Sequence, residues 1–468
     1  MLFNCKNESL FMQIKTFFVG LGIASLIGFQ SCREDFDYDP ISSELKFSKD
    51  TISVDTVYNF SKSETYVLKV YNPENDDRVI PKIYLSKGNQ SYFNINVDGK
   101  AGTSFENVPI RKKDSLFIFV EINAKDASAN PLYDDEINFE TINSSKKIKL
   151  LSWIEKAKIH LKDATISSAN WNVNEAQVID GNLTVTSDLT IDKGTKVYFK
   201  KGASLTIANN AKLAVNGAFN EEVKFRSARH DKKYDSIPDQ WNKIELSPNS
   251  ISTINYAKII GADTGLHVNK AKLDIRNAKI VNNQSYGILA TNATITGYNL
   301  IMNNSNLASL AIELGGNYEF YHSTFANYFN FSTGAGPAYS VYLSNFDKDK
   351  NTASLTKATF GNCILYNKNG GNALAFEKND AAAFNYLFDT NIIRNIDTSK
   401  LNVTTAPNFL ASITLDPMFV NTDYTANKLA VKKESPAKGK GKATFAQQYP
   451  LDYNGQPRGT TPTIGALQ

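Results

Sequence analysis

From Leu45 to Ile154 apolar and polar residues alternate in short runs: Thr51-Val57, Glu64-Tyr71, Ile80-Ser86, Tyr92-Val97, Ser115-Ile122 and Glu136-Ile142. Turn-forming Asn72-Pro73, Gly88-Asn89 and Asp98-Gly99 divide them. Period-two alternation between such breaks is the mark of strands. About seven short strands in roughly 110 residues predict a β-sandwich over residues 45–155. The run Asp114-Ser115-Leu116-Phe117-Ile118-Phe119-Val120-Glu121 is too apolar for a half-exposed strand and predicts a central one.

From about Trp171 the texture changes to apolar triplets separated by Asn, Gly and Asp. The pairs at Ile259, Ile280 and Leu300 step by about 21 residues, and Gly265-Leu266-His267-Val268 returns 22 residues later as Gly287-Ile288-Leu289-Ala290. A period of this length predicts one coil of a parallel β-solenoid, with inward side chains in aliphatic ladders and Asn stacked at the turns. Asn277, Asn282, Asn283, Asn292, Asn299, Asn303, Asn304 and Asn306 fall near such turns. A leucine-rich repeat has a similar period, but its Leu-x-x-Leu-x-Leu pattern is missing. The expected fold is all-β: an Ig-like sandwich, then a right-handed parallel β-helix of the pectate-lyase-like kind over 165–414, interrupted near 326–357 and 373–388. Gly181 to Lys200 reads as its first coil, and residues 415–468 as the cap that its open end needs.

Composition narrows the class. A chain of 468 residues suggests about three ordinary domains or an elongated repeat; 42% hydrophobic and 21% charged residues exclude disorder. The formal charge of +4 comes with no basic block, so charge implies neither nucleic acid nor an anionic membrane surface as partner.

The three cysteines differ in status. Cys5 lies upstream of a second methionine, Met12. Lys15 and the apolar run Phe17 to Phe29 then form a secretory signal over residues 1–31, with its start at Met1 or Met12. That run is too short to span a bilayer. Phe29-Gln30-Ser31-Cys32 resembles the relaxed lipobox of lipoproteins from Bacteroidetes-type bacteria, which implies cleavage before Cys32, acylation of its thiol and anchoring in the outer membrane. The other reading is an ordinary signal that leaves Cys32 a free thiol. Glu34, Asp35, Asp37 and Asp39, in a tether over 32–44, resemble the surface-export tag of such lipoproteins or form a solvated linker. Cys363 reads as a small core hydrophobe, so no disulfide or cysteine zinc site is expected.

Near the C-terminus, Asp416-Pro417-Met418-Phe419-Val420, Glu434-Ser435-Pro436-Ala437, Asp452-Tyr453-Asn454-Gly455-Gln456-Pro457-Arg458 and Ile464-Gly465-Ala466 resemble the ending of the choice-of-anchor Q proteins, right-handed β-helix proteins of bacterial surfaces. Leu45-Lys46-Phe47-Ser48 and Lys69-Val70-Tyr71-Asn72-Pro73 are similar to the Ig-like domain that opens Bacteroidetes lipoproteins with that ending. The sequence departs from the pattern at Thr463, Gln468 and the Lys-rich stretch after Ala437, which puts an acidic ligand role for the cap in doubt. The resemblance carries architecture and no activity.

Motifs for chemistry are sparse. Asp263-Thr264-Gly265 with His267 lacks the second Asp of a polygalacturonase-type site. The coils holding Lys258, Lys270, Arg276 and Lys279 offer Ca²⁺ little but Asp274. His160, His230, His267 and His322 are scattered, and no nucleophile elbow or zinc motif occurs. No cofactor or metal is expected. The insertion Arg226 to Trp241 is the strongest ligand candidate, through His230, Asp231, Tyr234, Asp235 and Trp241, because charged hydrogen-bonders beside aromatics suit sugar rings. The bland alternative makes Trp241 a core anchor and the charges a solvated loop. The aromatic run Tyr318, Phe320, Tyr321, Phe325, Tyr328, Phe329 and Phe331 is a second candidate, half of it core by alternation. The function expected is a non-catalytic binding or scaffold module toward a glycan or surface protein; the alternative is a polysaccharide lyase or glycoside hydrolase on one flank of the helix.

Overall fold

A computed structural model describes residues 38–126, 130–331, 336–368, 371–399 and 401–468. The signal, Cys32 and residues 32–37 of the tether lie outside the described residues. The chain divides into two compact units.

The first unit holds the described residues to Val54, then Glu64–Asn123 and Asp134–Leu151. Its strands form two sheets. In one, Tyr66–Tyr71 and Phe93–Val97 flank Ser115–Ile122 antiparallel, so this strand is central in its sheet as expected, but it is half-exposed where its apolar sequence predicts cover on both faces: Ile118 and Val120 point into the core while Phe117 and Phe119 stay 43% and 42% exposed. In the other, Arg78–Leu85 lies between Ser104–Ile110 and Leu132–Glu140. Alternation points Leu68, Val70, Ile118 and Val120 from one sheet, and Ile83, Leu85, Ile137 and Phe139 from the other, into a core where all are buried. The rings of Phe47 and Phe139 meet across it at 4.7 Å. The expected tether boundary at residue 44 shifts here. Ile41 is fully buried and Pro40 pairs with Val79, because the start of Arg78–Leu85 extends past its Leu132–Glu140 partner and an apolar residue beside it gains more from the core than from solvent.

The second unit is a parallel β-solenoid. Its coils begin at Ala157–His160, Ala164–Ile166 and Ala169–Trp171, earlier than the expected residue 165, and each strand pairs in parallel with its counterpart one coil on. The register gives the period directly. Ala157 faces Ala176, Ile259 faces Ile280, and Lys279 faces Ile301. Longer steps, such as Phe225 to Ile259 and Thr324 to Ile364, mark coils that carry insertions. Inward Val, Ile, Leu and Phe build one continuous core, which holds Cys363 and ends in the parallel stack Phe360, Phe388 and Phe409.

One corner recurs with left-handed backbone on successive coils: Tyr256, Asn277, Asn299, His322, Asn362 and Thr390 all have φ between 45° and 60°. Asn tolerates that region better than most residues because its side chain bonds locally. Here the amides also link the coils, Asn277 donating to Asn255 and Asn299 to Asn277, each at 2.9 Å. A second stack joins Asn304 to Asn282 at 3.0 Å. These are the asparagine ladders that the turn residues predict.

Residues 415–468, expected as an end cap, instead lie along this corner. Asn427 accepts from Asn303 and Asn304, the main chain of Lys442 exchanges hydrogen bonds with Asn362, and Arg458 donates to Asn299 at 2.7 Å. Covering the corner satisfies polar groups that the turns would otherwise leave to water.

His322 breaks the Asn series at the covered corner and is fully buried. Burial, and then the Arg458 guanidinium, push its imidazole down to about 2. An unfolded histidine titrates near ~6.5, so below that pH the unfolded chain binds a proton the fold refuses. Stability is therefore full above ~6.5 and falls by about 1.4 kcal/mol per pH unit as acid is added. Urea unfolding at pH 7.5 and 5.0 should show this loss. His322→Asn, which suits the left-handed corner, should remove that share of it.

Candidate functional site

The insertion singled out in the sequence borders a cavity of about 490 Å³ within the second unit. Its wall comes from separate strands by simple alternation. Trp153 and Glu155 share one face of Ser145–Glu155 while Ile154 between them is buried, and Lys196 and Tyr198 share the outer face of Lys196–Phe199. Asn174, Val173, Thr56 and His230 complete the lining. Trp153 is 48% exposed, an indole face left open to solvent.

Behind it the polar groups are held in place. Glu155 accepts from Lys196 Nζ at 2.6 Å and from the Tyr198 hydroxyl at 3.0 Å, so both carboxylate oxygens are engaged. Tyr58 donates to the carbonyl of Ala228 at 3.0 Å. The rings of Tyr58, Tyr198 and His230 form a triangle with centroid separations of 4.8 to 5.4 Å. Burial pushes the His230 imidazole down to about 4, and its Nε2 is buried without a hydrogen-bond partner. Burial likewise raises both tyrosine hydroxyls, which stay protonated donors. The wall thus combines an open aromatic face, a paired carboxylate and ammonium, and neutral ring donors.

The five residues proposed from sequence do not converge on this wall. His230 reaches it. Asp231 pairs with Lys233 at 3.0 Å, and Asp235 with Arg226 at 2.8 Å. The Tyr234 ring is covered by Arg229, 4.1 Å from its centroid. Trp241 is corrected outright as a ligand platform. It is fully buried, stacks on Phe199 at 4.1 Å and donates its indole N–H to the Ile260 carbonyl at 2.8 Å, because a large apolar side chain opening a coil is worth most inside. The second aromatic candidate closes too. Tyr318, Phe320 and Phe325 are core, and the outward Tyr321, Tyr328 and Phe331 pack on Tyr449, Phe419 and Tyr424 of the C-terminal segment. Trp153 and Glu155 went unrecognised because they close the sandwich run. Their signal is the period-two alternation, which sets both on the face opposite the buried Ile154.

Among the described residues no cluster of three His, Cys, Asp or Glu side chains is placed to hold a metal, and no helix is long and apolar enough to cross a membrane.

No family model matches the chain, and no curated protein matches it. Among solved structures it is similar to a family 123 glycoside hydrolase from Clostridium perfringens, described for glycolipid glycan hydrolysis, at 8% identity and TM-score 0.20, covering 28% of this chain and 30% of that one. A Bacteroides ovatus GH5 xyloglucanase aligns at 10% identity and TM-score 0.16 over 28% of this chain and 26% of its own. Dex49A from Penicillium minioluteum aligns at 10% identity and TM-score 0.16 over 74% and 82%. The chain thus spans less than a third of the first two, and at these scores its function has to be read from its own side chains.

The contrast between the two tryptophans is measurable. Trp241→Ala should cost about 3–5 kcal/mol of stability in chemical denaturation, as for other large core truncations. Trp153→Ala should stay within about 0.5 kcal/mol of the parent, as exposed substitutions do.

Proposed function

We propose that this chain binds carbohydrate, and that the cavity walled by Trp153, Glu155, Lys196, Tyr198 and His230 is a non-catalytic binding site. The observation that carries the reading is the open indole of Trp153 beside Glu155 and Lys196, which are already paired and oriented. A sugar ring offers an apolar face of C–H groups and a rim of hydroxyls. An exposed aromatic takes the first, and fixed charged donors and acceptors take the second. The site is preformed, so little ordering cost is charged against binding.

The setting is part of the same proposal. We read the first unit as Ig-like, the solenoid as a right-handed β-helix, and residues 415–468 as the choice-of-anchor Q-like ending that their motifs resemble. Acylated Cys32 then holds the chain on the outer surface of a Bacteroidetes-type outer membrane, where the cavity meets glycans. The support for this is the lipobox-like Phe29-Gln30-Ser31-Cys32 and the acidic residues after it.

A glycan array probed with the chain lacking residues 1–32, followed by calorimetry on the hits, tests the binding claim. Saturable binding that Trp153→Ala reduces at least tenfold, with the fold intact by circular dichroism, is the expected result. Binding that survives this substitution moves the site elsewhere. Silence across the array removes the carbohydrate reading in favour of a protein partner.

A further inference from the structure

The flank formed by Trp241–Leu246, Ala262–Asn269 and Tyr286–Tyr298 carries a second arrangement, distinct from the cavity at Trp153. Glu245 lies opposite His267 in register, and Thr291 sits one coil further on, two residues along from His267's own partner Leu289. The Glu245 carboxylate meets His267 Nδ1 at 2.8 Å, and His267 Nε2 meets the Thr291 hydroxyl at 3.3 Å. Lys243 also reaches Glu245, at 2.7 Å. Burial works against the charge on Glu245, but the hydrogen bonds from His267 and then Lys243 outweigh it and hold the carboxyl below its ordinary range.

These contacts fix the proton positions. A carboxylate only accepts, so Nδ1 carries the hydrogen, and in the neutral ring Nε2 is then the acceptor to which Thr291 donates. Nucleophile, base and orienting acid on the two nitrogens of one imidazole is the arrangement that activates a hydroxyl for acyl transfer. The side chains of His267 and Glu245 are 19% and 13% exposed, shielded yet reachable. Thr291 is partly exposed, and the residue after it, Asn292, has φ 46°, so the hydroxyl stands where the strand breaks its ladder.

We infer that Glu245, His267 and Thr291 form an acyl-transfer triad acting on carboxylic esters with a short acyl chain, such as O-acetyl groups on a hydroxylated carrier. Leu289, which follows His267 in register and is half-buried, gives the acyl group a small apolar contact. Glu313 follows Thr291 in register. Burial raises its carboxyl above the ordinary carboxylate range.

The chemistry balances without a cofactor. His267 Nε2 takes the Thr291 proton as Oγ1 bonds to the ester carbon. The tetrahedral species expels the alcohol oxygen, which receives that proton, leaving acyl-Thr291. Water then attacks, gives its proton to His267, and the acyl–Thr bond breaks to release the carboxylic acid and restore the hydroxyl.

The test is hydrolysis of 4-nitrophenyl acetate by the full chain, with fluorophosphonate labelling and peptide mapping. The expected result is a label on Thr291 and steady release of 4-nitrophenolate. Thr291→Val and His267→Ala should each lose at least about a hundredfold, the usual worth of a positioned nucleophile or base. Glu245→Gln should lower the rate and move the pH profile, and Thr291→Ser should keep the label, a rescue that a purely structural hydroxyl would not give. Unaltered unfolding midpoints in Thr291→Val and Thr291→Ser separate chemistry from misfolding. An inert parent chain, a label elsewhere, or hydrolysis unchanged in Thr291→Val would overturn the inference.

Discussion

A parallel solenoid works only if every coil turns each corner in the same conformation, because the next coil must land in hydrogen-bonding register roughly 4.8 Å away. The left-handed corner running through Asn277, Asn299 and Asn362 is where that constraint is tightest. An L-residue there gives up about 1–2 kcal/mol unless it is Gly or Asn. Asn277 and Asn299 recover that cost through amide bonds to the coil before, so that the strained position also locks the register. Where the series fails, at Tyr256, His322 and Thr390, the neighbouring coils hold the residue in a conformation it would not choose alone.

The same corner decides which surfaces remain available. The C-terminal segment takes its hydrogen bonds from it, through Asn282, Asn299, Asn303, Asn304 and Asn362, and then covers the outward tyrosines nearby. It brings its own burden. Arg458 is buried, pushed down to about 10 by burial, and donates to carbonyls and an amide, with no carboxylate of the described residues in salt-bridge reach. A buried cation satisfied only by neutral oxygens holds the segment in one place more than it stabilises it. Space for a ligand opens at Trp153, and a smaller cavity lies beside the segment itself, between Tyr328 and Asn421 to Tyr424.

How much of this the sequence disclosed depends on the separation at which residues meet. The repeat is legible because identical residues recur at a fixed step, as Ile259 and Ile280 do. The asparagine ladders are legible for the same reason. The cavity is not, since Glu155 and Lys196 stand 41 residues apart and belong to different elements. The insertion from Arg226 reaches the cavity through His230 alone of its five candidates, while its most conspicuous residue, Trp241, lies inside. Composition alone does not say which aromatic of a coil faces in; that follows from the register of the coil before.

The flank at His267 shows how fine that dependence is. Lys243 lies opposite Thr264, so an unbroken ladder would set Glu245 against Leu266, and the histidine would meet no carboxylate. Instead the register shifts after Lys243, Gly265 becomes the extra residue, and Glu245 faces His267. The next coils keep this offset without a further shift, with Gly287 over Gly265 and Ser309 over Gly287. A side chain at Gly265 would start 2.6 Å from the Gly287 carbonyl, and one at Gly287 2.5 Å from that of Ser309, so close approach of the backbones demands glycine at both. The bulge is thus paid for by residues that have no chemistry, and its effect is to aim an imidazole at a carboxylate. Spacing alone cannot disclose such a pair, because one inserted residue exchanges the inner and outer faces of everything that follows in the strand.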